Sequence, residues 1–531
     1  MNSPLPGHKQ LSGIQTLFYS LPALSAVAML CTNRWFTVVD DETALIDTAF
    51  HPASYTISIF ANGFGQHRHP PLSDLFLHFW LVLTHANFHL LRVPFIVLYA
   101  IGVYALGRSA RLLGRKKSEL WVLGIGALWP YGFHYGRAAA WYCFCFAAVC
   151  LLTLVYSRFI ERPSVARWIW LMIAILAAIY SNYFCWILLT CLAADFWIKR
   201  RADFSRWWPA LLATVLLTLL LYYPILHVFF HVLKKEGVLH FSPVSSAAFA
   251  TYSLYCTFVS ESVGPWFWGF GIPAGVAIAS CLVLTFFLSN RSARRFFLYY
   301  LISFAILVIA GIEEPKHLVL VGPWLILAVG CTIATAPAGT CRRLLIASML
   351  VPGLIGWFGI VDRNYYAAPH WVEPWQTIAN RAAEVVREGG IVIGNNPSFF
   401  FYLTYALPAD TPVGSGRVWG LLPNSVHHPG VYSFSQWQKE GRPTARETWL
   451  TSGMHFDIPG ESDSEAKTYL GSVCSLQVDQ KMVYDAGARW KRRFAPAFGE
   501  LDWRVELRSY ACMTPHAPGP SDLGSSDQSM R

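Results

Sequence analysis

Apolar runs of about twenty residues, separated by short polar turns, recur along the first two thirds of the chain. At about 20 residues per crossing, they predict spans near 11–31, 91–112, 118–136, 141–159, 165–180, 184–198, 207–230, 271–290, 296–311, 318–336 and 343–361, eleven in all. The run 72–86 is different. It is too short to cross a bilayer and carries Asp74, His78 and His85 directly behind the polar head HRHPP at 67–71. From about residue 362 the hydropathy drops, and an amphipathic stretch from Pro374 and Trp375 to Gly389 and Gly390 is followed by a strand-like IVIG and then FFFYLTYAL. That sequence of periods predicts a small α/β domain over 362–514. The remainder, 515–531, is rich in Ser, Asp, Gly and Pro and is expected to be a disordered tail.

Composition turns the pattern into a fold class. With 54% hydrophobic and 14% charged residues and 22 Trp, the chain is too apolar for a soluble globular domain. The expected architecture is an all-α polytopic membrane protein, with residues 1–361 in the bilayer and a small C-terminal extracytoplasmic α/β domain. A net charge of +10 would suit a nucleic-acid partner, but the Lys and Arg residues gather in alternate short loops. These are Arg108 to Lys117, Arg158 to Arg167, Lys199 to Arg206, Arg291 to Arg295, and Arg342 with Arg343. Such loops orient a membrane protein with its basic side in the cytoplasm, so no nucleic acid is implied. The alternation holds only if 72–86 does not span. That run is therefore expected to lie in the outer interface as a helix within the first outer loop, 32–90. The same topology puts Tyr135 to Tyr142, Tyr180 to Phe184, 231–270, Glu313 to His317 and everything after 361 on the outer face. The first apolar segment lacks a small-residue cleavage site and is long enough to stay as a span. Most Cys residues sit inside apolar runs without metal-site spacing; only Cys474 and Cys512 lie in a polar, extracytoplasmic stretch where a disulfide can persist.

Candidate chemistry concentrates on that outer side. Asp40, Asp41 and Glu42 follow the first span. They fit a solvated acidic cluster at the positive end of a helix, the reading the triplet alone favours; the other reading is a general base with a divalent-metal site for magnesium or manganese. In HRHPP, the prolines set an extended turn and place Arg68 and His69 just before a new helix, which makes an anion site or an interfacial anchor. Arg137 and Lys316 with His317 oppose the positive-inside bias, and phosphate binding would explain them; pairing of Lys316 with Glu313 and Glu314 would explain it too. YSNYF at 180–184 offers Asn182 and Tyr183 to sugar hydroxyls, and its Tyr residues also fit the aromatic belt of a membrane surface.

Taken together, these stretches resemble the GT-C superfamily of membrane glycosyltransferases, in the branch of protein O-mannosyltransferase-like and lipid A aminoarabinose or galacturonic acid transferases. Asp41 and Glu42 look like the family's acidic pair. HPPLSDLFLHFW followed by LLRVPFIVLYAIG is similar to its Pro-Pro-Leu segment and the Arg-x-Pro that opens the next span. WPYGFHYGRAAAWY resembles the stretch ending in Arg-x-Tyr, with Ala140 at the arginine position, Arg137 one turn earlier and Tyr142 at the tyrosine. YSNY resembles a Tyr-Ser/Thr-His-Tyr turn with Asn182 in place of His, and PKHLVLVGPW a late-span segment with His317 at its aromatic position.

The resemblance implies a transferase that moves a hexose or pentose from a polyprenyl phosphate carrier to an acceptor glycolipid, polysaccharide or protein, with inversion. It would work at the outer face of a bacterial inner membrane. It assigns Asp41 as base, with Glu42 aiding it or holding a magnesium or manganese ion. His69, Arg68, Arg137, Lys316 and His317 would hold the donor phosphate, and Tyr142, Asn182 and Tyr183 would line the sugar or acceptor. Two other classes compete: a transporter or flippase for a lipid-linked sugar, and a non-catalytic scaffold for glycan assembly. The first should show internal repeats or charges at span centres, whereas here the ionisable residues cluster near span ends.

Overall fold

The structure, a computed structural model, describes residues 7–62, 70–85, 87–114, 116–201, 204–235, 243–310, 314–368, 371–394, 396–407, 430–453, 463–484 and 503–513. In chain order the helices of its first part are α1 (Gly7–Cys31), α2 (Asp40–Phe50), α3 (Ala53–Asn62), α4 (Leu72–Leu83), α5 (Val93–Leu113), α6 (Lys116–Ala127), α7 (Pro130–Tyr135), α8 (Trp141–Glu161), α9 (Val165–Ser181), α10 (Cys185–Arg200), α11 (Phe204–Lys235), α12 (Pro243–Val259), α13 (Trp268–Leu288), α14 (Arg291–Ile309), α15 (Gly322–Thr335) and α16 (Thr340–Asp362). There follow α17 (Trp375–Arg387), β1 (Ile391–Gly394), α18 (Pro397–Ala406), β2 (Val431–Ser433), α19 (Phe434–Lys439), β3 (Glu447–Gly453), α20 (Asp463–Val473), β4 (Ser475–Tyr484) and β5 (Trp503–Ala511). The chain divides into two compact units, and the division does not follow the sequence. Of the described residues, one unit takes those up to Arg34 and from Pro52 to Ala368; the other joins Trp35–His51 to those from Trp371 onward.

The first unit is helical. Among the described residues five of its helices, α5, α8, α13, α14 and α16, are long and apolar enough to cross a membrane. The run expected as a single span at 118–136 is two helices, α6 and α7, because Pro130 brings no N–H and Trp129 before it is extended (φ −71, ψ 112). The stretch 231–270, expected as a long loop, contains α12, whose 17 residues hold no glycine and begin at a proline. At the basic-loop ends, buried acids tie helices together. Glu119 takes Arg108 at 3.1 Å and Arg111 at 3.5 Å, and Asp195 takes Arg295 at 3.0 Å and Lys199 at 2.9 Å. Close helix contact is secured by Gly356 of α16: a Cβ there would stand 2.3 Å from the Val259 carbonyl oxygen. The run 72–86 forms α4, twelve residues long, seated by Phe76, which meets Phe95 edge-on at 5.7 Å and Phe144 at 5.3 Å.

The second unit is built on a five-stranded sheet in the order β2-β1-β3-β5-β4, parallel across its first three strands and antiparallel beyond. The helix expected after Pro374 is α17, and its buried face, Ile378, Ala379, Ala382, Ala383 and Val386, follows helical spacing. Ile393, Phe434, Trp437, Leu450, Leu470 and Tyr510 form a core for the sheet. Cys474 and Cys512 are joined by a disulfide with a Cα–Cα separation of 4.4 Å. The segment Trp35–His51, expected to belong to the membrane domain, is fastened here: Thr37 N–H donates to the Trp371 carbonyl at 2.9 Å, Thr37 Oγ1 to the Glu373 carbonyl at 2.5 Å, and Val38 N–H to Tyr402 Oη at 2.8 Å.

Candidate functional site

The acidic triplet opens α2, where exposed N–H groups and the helix dipole favour negative charge. Glu42 is fully buried and its Oε2 accepts the Val39 N–H at 3.2 Å, a reach back to the residue before the helix that satisfies an otherwise orphaned donor. Asp41 is only partly buried. The two acids therefore differ: one is fully buried and closes its own helix, while the other is only partly buried. Both are carried by the second unit. Within that unit Glu373 is also buried, its carbonyl held by Thr37 Oγ1–H and its Oε2 accepting Trp375 Nε1–H at 2.6 Å, and burial pushes its carboxyl up to about 7.

In the first unit, the residues around Arg137 are gathered at the end of α8 opposite Arg158. After α7 the chain turns at Gly136, where a Cβ would stand 2.3 Å from the Gly132 oxygen and 2.7 Å from the Tyr99 ring. Three buried alanines, Ala138 to Ala140, then lead into α8. Arg137 is fully buried, its guanidinium 5.5 Å from the Phe133 ring centroid. Burial raises the Tyr366 hydroxyl pKa, and the Arg137 cation is near enough to oppose that rise. Tyr142 is buried and meets Tyr135 edge-on at 5.3 Å. His317 stacks on Trp141 at 5.3 Å and takes the Phe184 ring edge-on at 5.6 Å. This joins the GRAAAWY, YSNYF and PKHL stretches in one neighbourhood. Tyr131 Oη–H donates to the Pro315 carbonyl at 2.6 Å and fixes the 3-10 turn Pro315–Leu320 against α7. Lys316 pairs with Glu314 at 2.8 Å, the surface pairing that was one of the two readings of that stretch.

One buried acid in this neighbourhood was not singled out in the sequence. Glu261 accepts Tyr135 Oη–H at 2.6 Å and Tyr252 Oη–H at 3.4 Å, stands 3.9 Å from His134 Nε2, and accepts the Ala367 N–H on its carbonyl at 2.8 Å. A signal existed: between Glu236 and Arg291 it is the one charged residue. At the YSNYF turn, Asn182 ends α9 with its Oδ1 accepting the Phe184 N–H at 2.9 Å, and both Asn182 and Tyr183 are buried.

The structure thus brings Arg137, Tyr142, Asn182, Tyr183, Lys316 and His317 together within one unit and carries Asp41 and Glu42 on the other. Arg68 and His69 lie outside the described residues. Among the described residues no three or more His, Cys, Asp or Glu side chains are grouped as metal ligands.

No protein-family model and no curated protein matches the sequence. Two solved structures share its fold: ArnT from Cupriavidus metallidurans bound to undecaprenyl phosphate, at 14% identity and TM-score 0.51, and the same protein in the apo state, at 13% and 0.52. Each comparison covers 94% of this chain and 98% of the other. The chain therefore shares the fold of these structures along nearly its whole length.

Proposed function

We propose that the protein is a membrane glycosyltransferase that takes a hexose or pentose from a polyprenyl phosphate carrier and passes it, with inversion, to an acceptor on the outer face of a bacterial inner membrane. The acceptor is a hydroxyl or amine of a glycolipid, polysaccharide or protein. The observation that carries this reading is a fold shared along nearly the whole chain with a protein solved with undecaprenyl phosphate bound. A fully buried arginine near two further basic residues supports it.

In this reaction the acceptor atom attacks the anomeric carbon while the bond from that carbon to the phosphate oxygen breaks. The electron pair leaves on the phosphate, and the acceptor proton passes to a base. Polyprenyl phosphate is a fair leaving group, so the protein's main task there is to neutralise charge, which Arg137, Lys316 and His317 do together with Arg68 and His69. Asp41 is the base: it is a carboxylate at a helix start, where the helix dipole favours negative charge, and it is only partly buried. Glu42 supports it by closing the same helix turn through Val39. Tyr142, Asn182 and Tyr183 line the sugar. Magnesium or manganese, where needed, would be held by Asp41, since magnesium is commonly bound by one or two carboxylates with substrate phosphates and water.

The test is to incubate the purified protein with a panel of polyprenyl phosphate sugars and follow release of the carrier phosphate, with and without a chelator. Asp41→Asn should lose transfer by at least about a hundredfold while its thermal melt is unchanged. Near-normal release by that variant, or no release from any donor by wild type, overturns the reading.

A further inference from the structure

Two buried polar side chains, one of them with an unmet donor, lie where α4 packs against α9. Asp74, at the third position of α4, is 3% exposed, and the hydroxyl that approaches its carboxylate, Ser73 Oγ, stands at 3.5 Å, beyond a good hydrogen bond. Asn182, 1% exposed, turns its Oδ1 to the Phe184 N–H, which leaves its Nδ2 pointing the other way with no partner among the described residues. The next residue, Tyr183, is close enough to Asp74 for the carboxylate's charge to raise the tyrosine's pKa further above the rise that burial causes.

A helix-start acid ordinarily serves the backbone dipole, and Asp74 does bond its own N–H. Burial outweighs that bond, however, and pushes the carboxyl up to about 7. A group kept at that cost of desolvation, with an unmet amide donor at the adjoining helix end, is arranged for a ligand. The ligand must donate to a carboxyl and accept from an amide. A phosphate is repelled whenever the carboxyl is ionised, and an ammonium leaves the amide unpaired; a sugar hydroxyl, or two neighbouring ones, serves both groups, because it donates to the ionised carboxyl and accepts from the protonated one.

We propose that Asp74 and Asn182 form the subsite that reads hydroxyl groups of the transferred sugar. This rests on the proposed transferase reading and names two specificity-determining residues within it. The subsite makes the protein bind a sugar-linked carrier more tightly than the bare carrier, and it loses affinity when the contacted hydroxyl is missing.

The experiment measures binding of the full-length protein in detergent to undecaprenyl phosphate, to a panel of undecaprenyl phosphate hexoses and pentoses, and to the 2-, 3- and 4-deoxy forms of the tightest. Asp74→Asn and Asn182→Asp are the variants; each keeps its volume, and Asn182→Asp also keeps the bond to Phe184. Each variant should bind the bare carrier as wild type does, lose about tenfold for the preferred sugar-linked carrier, and no longer distinguish it from one particular deoxy form. Asp74→Asn should melt no lower than wild type, since a purely structural carboxyl would be missed. Equal loss for bare and sugar-linked carrier, unchanged discrimination of the deoxy forms, or a wild type that binds no sugar-linked carrier better than the bare one overturns the proposal. Tight sugar-selective binding without transfer would instead remove the transferase reading and leave the subsite standing.

Discussion

Asp195 and Asp74 are both buried aspartates in one helical unit, yet they live in opposite circumstances. Asp195 is surrounded: besides Arg295 and Lys199 it accepts Tyr156 Oη–H at 2.6 Å and Tyr299 Oη–H at 2.8 Å. Asp74 has a neighbouring serine at 3.5 Å and an electrostatic link to a tyrosine. The difference separates two uses of buried charge. At the basic-loop ends an acid is spent on joining α8, α10 and α14, and every lone pair is taken. At the other ends of these helices, Asn182 keeps a buried amide donor without a partner among the described residues. Glu261 lies between the two cases, since it is bonded by two tyrosines while sharing a neighbourhood with Arg137.

The largest effect that would sharpen this contrast comes from Asp195→Ala. Removing the acid leaves two cations and two buried hydroxyls without their partner, and stability in detergent should fall by about 5 kcal/mol, read as a large drop in melting temperature. A drop no larger than for Asp74→Asn would erase the distinction.

Next is the covalent tie of the other unit. Cys474→Ser opens a loop with a sequence separation of 38. It should cost the C-terminal unit about 4 kcal/mol on a chain-entropy account, visible as earlier proteolysis of that unit with the helical unit intact.

The smallest, Glu373→Gln, tests whether an unmatched buried acid acts through pH. The folded carboxyl keeps its proton up to about 7 and the unfolded one releases it near 4.5, so between these values the folded state holds more protons. Stability from this group is thus full below about 4.5 and lost as pH rises through 7, by about 3 kcal/mol. The melting temperature of the wild-type C-terminal unit should fall between pH 5 and pH 8, and that of Glu373→Gln should fall less; parallel curves would discard the role given to Glu373.

Much of the fold was legible because hydrophobic period reports burial directly. The short helix after HRHPP was expected as a helix too short to span, and it is α4. The amphipathic run after Pro374 is α17, and the two cysteines placed in a polar stretch are bonded to each other. The misses have local causes. Pro130 breaks a run that is apolar throughout, and hydropathy does not register a missing N–H. The helix α12 lies in the stretch expected as a loop: Ser, Thr and Tyr recur through its seventeen residues, so they make no continuous apolar run. Glu261 was passed over because its meaning depends on Tyr135 and Tyr252, which are distant from it in sequence on one side and ordinary on the other.

Sequence by itself determined that this chain is a many-helix membrane protein with a polar α/β tail domain, since the length and composition of apolar runs set what water and lipid will accept. It also determined which residue types were available as base and as phosphate ligands. Tertiary structure alone decided how they are divided: that Glu42 closes its own helix while Asp41 is only partly buried, that both ride on the unit of Trp371 and Tyr402, and that Asp74 and Asn182 are buried near one helix junction, where the Asn182 amide has a donor unmet among the described residues. Whether a buried polar group is satisfied depends on atoms contributed from far along the chain, and no local pattern records their arrival.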